Sequence, residues 1–137
     1  ETFFNPEESD NIGSQLWKVE FNDCSDFKVL INSRVLKIYG EDQQNPVLRA
    51  HILPPIVRDI FSGLIMRNES LDVLRDTRAM KWFEWAELLT KDSFPEEDFN
   101  DEKWLGWIDE LVEIFSAARF VNGKHSLLEA MEELGDA

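Results

Sequence analysis

Cysteine is nearly absent from this chain. Cys24 stands alone among 137 residues, which excludes an internal disulfide and a cluster of thiolate ligands within one chain. A reducing, cytoplasmic setting is the expectation. Basic side chains are also scarce. There are 14 Lys and Arg against 28 Asp and Glu, and the formal charge of −14 disfavours contact with nucleic-acid phosphates or an anionic membrane over any large surface. A macromolecular partner is then expected to be a protein with a basic patch. No apolar run approaches the roughly 18 residues of a membrane span, and residues 1–13, ETFFNPEESDNIG, lack the basic and apolar regions of a signal peptide.

Signatures of catalysis are missing as well. There is no HExxH pair, no G-x-S-x-G, no phosphate-binding loop and no dinucleotide fingerprint. The two histidines, His51 and His125, lack the spacing of metal ligands. Cys24 has acidic neighbours that disfavour its thiolate. No catalytic residue, metal or cofactor is expected.

What is present suffices to fold. With 43% hydrophobic and 12% aromatic residues, the chain lies outside the disordered class. A domain of this size hides about two thirds of the surface its unfolded form exposes. Residues 1–14 have the composition of a flexible acidic arm, with Phe3 and Phe4 as its aromatic groups, and residues 15–137 are expected to form one domain.

The organising stretch is residues 53–65, LPPIVRDIFSGLI. Pro55 suits a first helical turn, and Ile56, Val57, Ile60, Phe61, Leu64 and Ile65 recur as a wide buried stripe opposite Arg58, Asp59 and Ser62. Before it the period is two. Trp17, Val19 and Phe21 alternate with polar residues, as do Phe27, Val29 and Ile31. A hairpin turn near Asn32 and Ser33 is expected to lead into a further strand over residues 35–39, and residues 47–53 into a last short one. After the organising stretch the spacing is helical: a short turn at Leu71, Val73 and Leu74 capped by Ser70, a helix over residues 79–89, a longest helix from an Asn100 cap to about residue 119, and a final helix opened by Ser126 and Glu129. Strands first and helices afterwards predict an α+β fold, a small antiparallel sheet of three or four strands covered on one face by four or five helices.

Two constellations carry a function. Lys81, Trp82 and Trp85 are echoed by Lys103, Trp104 and Trp107, so each of two helices presents paired indoles on one side. These are expected to feed a common core, the alternative being an aromatic groove for a partner. The second is a run of carboxylates, Glu96, Glu97, Asp98, Asp101, Glu102, Asp109, Glu110 and Glu113, with only Lys103 among them. Converging on one face, they would bind a basic protein surface. The resulting expectation is a non-enzymatic interaction domain, an adaptor, assembly subunit or inhibitor. The alternatives are an inhibitor that mimics nucleic acid, and a small-ligand binder or enzyme with a pocket between sheet and helices, near His51 and its arginines.

Overall fold

In the computed structural model, which describes residues 6–39, 46–117, 119–121 and 125–126, a small sheet is followed by five helices. The fold is α+β. Strand β1 (Glu7–Ser9), β2 (Trp17–Phe21) and β3 (Phe27–Asn32) form a sheet in the order β1-β3-β2. The central β3 pairs antiparallel with β2, Val19 opposite Val29, and parallel with β1, Glu8 opposite Ile31. The sheet is thus mixed. Its third strand comes from within residues 1–14, too polar for their strand to be read from alternation.

The β2–β3 turn is set by Asp23, whose Oδ1 accepts the N–H groups of Ser25 and Asp26, both at 2.8 Å. Those backbone donors hold the Asp23 carboxyl below its ordinary pKa, because they favour the charged form. Val29 and Ile31 point into the main core, while Lys18, Glu20 and Lys28 form an ion-pair ladder on the opposite face.

Residues 33–39 are helix, not strand. The run VLKIY is β-prone by composition, but Asn32 decides otherwise. Its Oδ1 accepts the N–H of Arg34 at 3.0 Å, and its Nδ2 donates to the carbonyls of Gly13 at 3.1 Å and Gln15 at 2.8 Å. This buried side chain therefore starts helix α1 (Ser33–Tyr39) and fastens the β1–β2 connection, where Gly13 takes a left-handed φ of 65°. In place of the expected hairpin, the chain turns into a helix that buries Val35 and Leu36.

Helix α2 (Pro46–Arg67) is the longest, and it replaces the short strand expected over residues 47–53. Pro54 and Pro55 lie inside it rather than at its start. Prolines lack the N–H that would bond the carbonyls four residues back, so the helix is carried past them by burial. Ile56, Ile60, Phe61 and Leu64 are wholly inaccessible. Phe61 meets helix aromatics edge-on: Phe83 at 5.1 Å, Trp107 at 5.3 Å and Trp82 at 6.4 Å between centroids. The sheet grips α2 elsewhere. Trp17 Nε1 donates to Asp59 at 2.9 Å, and Asn68 Nδ2 donates to the carbonyl of Cys24 at 2.8 Å.

Helix α3 (Leu71–Leu74) follows Ser70, whose side chain makes no capping bond. Helix α4 (Met80–Thr90) and helix α5 (Lys103–Ala117) complete the layer. Trp104 and Trp107 are buried, while Trp82 and Trp85 are partly buried against the same cluster, so the indoles belong to the core. A two-stranded pair, β4 (Arg119–Val121) and β5 (His125–Ser126), comes after α5. The helix expected beyond Ser126 lies outside the described residues. No helix among the described residues is long and apolar enough to cross a membrane.

Candidate functional site

Helix α5 is built with two opposed sides. Trp104, Trp107, Ile108, Leu111 and Phe115 are buried, and the period of 3.6 residues that aligns them turns other positions outward. Glu102, Asp109 and Glu113, spaced i, i+7 and i+11, follow one outward line with Glu110 beside it, and all four are exposed. At a rise of 1.5 Å per residue the line is roughly 16 Å long.

The remaining candidates come from the connection between α4 and α5. Lys91, at a left-handed φ of 61°, closes α4 by donating its N–H to the carbonyl of Glu87 at 2.8 Å. The chain beyond it is pinned by its aromatics and backbone. Phe99 is buried and donates its N–H to the carbonyl of Glu69 at 2.9 Å, and Trp104 Nε1 donates to the carbonyl of Glu97 at 2.8 Å. Asp101 Oδ1 accepts the N–H of Lys103 at 2.9 Å, taking the capping role that the sequence assigned to Asn100. Its carboxylate also complements the positive end of the helix.

Among the described residues, cations reach two of the eight carboxylates. Lys103 Nζ meets Glu97 at 2.6 Å, and Arg58 of α2 reaches Asp109 at 2.6 Å. The Arg58 pair spans distant parts of the chain, so the run of sequence around Asp109 could not show it. The Glu97 carboxylate, first through its hydrogen bond and then through its charge, raises the Lys103 pKa, with Asp101 and Glu96 adding to it. Glu97 is lowered in return, chiefly by the hydrogen bond from Lys103. Glu96, Glu97 and Asp101 thus gather around Lys103, Asp109, Glu110 and Glu113 share the outward side of α5 with Glu102 just before it, and exposed Asp98 joins neither group through a side-chain bond among the described residues.

One acidic partner was not foreseen. Asp92 of the connection raises the Glu110 pKa, first by side-chain hydrogen bonding and then through its charge. A second carboxylate nearby disfavours the charged form. The pair lines an open groove of about 520 Å³, with Phe94, Pro95, Lys103 and Trp107 among its other walls. Nothing in the spacing of residues 92 and 110 marks them as neighbours.

His51 lies on α2 instead of a strand, and its side chain is outside the described residues. Cys24 is exposed in the β2–β3 turn. Among the described residues no group of three or more His, Cys, Asp or Glu side chains is placed to hold a metal ion. Comparison with protein-family models, curated proteins and solved structures gives no match.

Proposed function

We propose that the chain is a non-enzymatic protein-interaction domain, an adaptor, assembly subunit or inhibitor, whose α5 carboxylates bind a basic surface of another protein in a reducing, cytoplasmic setting. The observation that carries this reading is the outward line of Asp109, Glu110 and Glu113, continued by Glu102 just before the helix, on an element whose other side is fixed in the core. Charges held on a rigid element need little ordering when a partner arrives. Among the described residues only Asp109 of the four is paired with a cation, and Glu102, Glu110 and Glu113 are exposed. The field of such charges accelerates encounter with a complementary surface and reaches about 8 Å at physiological ionic strength.

The test uses the partner retrieved by affinity capture and purified. Its association rate, followed by stopped flow at increasing salt, should fall steeply while dissociation changes little. An association rate indifferent to salt removes the carboxylate face from the mechanism. Competition by duplex DNA or by RNA for the same partner would turn the reading towards a nucleic-acid mimic.

A further inference from the structure

We propose that the free edge of β2 is a self-association surface, on which β2 of a second copy of this chain pairs antiparallel about a two-fold axis through Val19. This surface shares no residue with the carboxylate face of α5. Among the described residues β2 pairs with β3 alone. Asn32 donates its N–H to the carbonyl of Leu16 at 2.9 Å, and Asn22 donates its N–H to the carbonyl of Asp26 at 2.8 Å. In an antiparallel ladder every second residue bonds the neighbouring strand, so Lys18 and Glu20 turn their backbone groups to β3, while those of Trp17, Val19 and Phe21 point away from it. No hydrogen bond among the described residues occupies that outward row. Such an edge is a template for another strand.

The order of residues on the edge selects its occupant. WKVEF runs aromatic, cation, valine, carboxylate, aromatic, so reversal about Val19 sets Trp17 opposite Phe21 of the other copy and Lys18 opposite Glu20. Outward backbone groups then face outward backbone groups, and each N–H finds a carbonyl. Charge fixes the register. Sliding by two residues one way sets Lys18 against Lys18, and the other way Glu20 against Glu20, and like charges directly opposite are destabilising. A charge on an edge strand ordinarily guards it against pairing, but these two guards complement each other across the axis. Within one chain Lys18 and Glu20 meet only loosely, at 3.8 Å with side chains 44% and 40% exposed, which leaves both able to reach across. The other edge, β1, carries Glu7 and Glu8 without a cation between them and has no such match. On the α2 side, Met66 is 82% exposed and precedes Arg67, which covers Phe21, so Trp17 of the second copy arrives beside an uncovered apolar side chain. Trp17 bonds Asp59 and Phe21 lies on Gly63. The axis therefore passes close to Ser62, whose small side chain permits the two α2 helices to approach. With five residues a side, the dimer belongs to the weak, concentration-dependent class.

The experiment is sedimentation velocity on the full chain over a range of concentrations in about 0.15 M salt, where repulsion between two copies of formal charge −14 is screened beyond about 8 Å. The native chain should show a monomer–dimer equilibrium. Lys18→Glu and Glu20→Lys, each folded by its urea transition, should each weaken the dimer about tenfold or more, because each sets like charges opposite at both crossings. An equimolar mixture of the two variants should dimerise about as tightly as the native chain, since each then supplies the charge the other lacks. In the ¹⁵N-labelled native chain the amides of Trp17, Val19 and Phe21 should exchange more slowly as concentration rises, while those of Lys18 and Glu20, already bonded to β3, stay slow throughout. A native chain that is monomeric at every concentration overturns the proposal. So does a dimer that both variants leave equally tight, a mixture no tighter than either variant alone, or a Val19 amide whose exchange ignores dimer formation.

Discussion

The ring edge of Phe21 lies against the backbone of Gly63, so closely that a β-carbon on residue 63 would overlap it. Arg67 covers the same ring at 4.0 Å from its centroid, and Phe27 stands 5.3 Å away. The ring has little room to yield, and the contact is where strand β2 seats on α2. Alanine is the better helix former by about 1 kcal/mol, yet Gly63→Ala should destabilise by about 1 to 3 kcal/mol through overpacking. Gly106→Ala, on the open side of α5 where nothing lies near, should stabilise by up to about 1 kcal/mol. Urea unfolding of the two variants checks both signs.

Asn32→Ala removes the donor to Gly13 and Gln15 and the acceptor for Arg34. Unsatisfied groups at a buried position cost about 1 to 3 kcal/mol. Amide exchange should rise first in β1, in residues 12–16 and at the start of α1, with α5 least affected.

Lys91 holds a backbone conformation that glycine adopts freely, with φ at 61°. Lys91→Gly should raise stability by about 1 kcal/mol, visible as a higher urea midpoint at unchanged slope. An asparagine at the same position should fall between the two.

Two carboxyls should give opposite pH signatures. Glu110 has a raised pKa, from side-chain hydrogen bonding with Asp92 and then from the Asp92 charge, so its contribution is present below the ordinary glutamate value and is lost as pH rises through the folded one. Glu110→Gln should therefore compare best with the native chain at neutral pH, and lose that advantage below about pH 4. Asp23 is lowered by the N–H groups of Ser25 and Asp26. Its contribution is present above the ordinary aspartate value and is lost as pH falls through the folded one, so Asp23→Ala should destabilise at neutral pH and cease to do so in strong acid. Melting temperatures across the acid range check both.

Local periodicity made much of this fold legible. Trp17, Val19 and Phe21 alternate because one side of β2 is covered, and the α5 stripe from Trp104 to Phe115 repeats because one side of that helix is buried. The outward carboxylates of α5 followed from the same stripe. What escaped depends on contacts far apart in sequence. The β-prone residues 35–39 become helical behind Asn32, whose hold on Gly13 and Gln15 no local window contains. Pro54 and Pro55 read as a helix start because their lost hydrogen bonds are local, whereas the burial that carries α2 through them is tertiary. Strand β1 is polar and, among the described residues, pairs with β3 alone. Arg58 beside Asp109, and Asp92 beside Glu110, arise from packing onto α5 and from the course of the chain after Lys91.

The central claim is that exposed carboxylates on and before α5 draw in a basic partner, and reversing charges that make no side-chain bond among the described residues tests it most directly. Glu97 and Asp101 are unsuitable, since one holds Lys103 and the other caps α5. Glu96, Glu102 and Glu113 are exposed. Changing these three to Lys should alter stability by about 0.5 kcal/mol or less each, while the association rate with the captured partner at low salt falls by about tenfold or more and approaches the native rate as salt is raised. An association rate in the folded triple variant equal to that of the native protein at low salt would contradict the account.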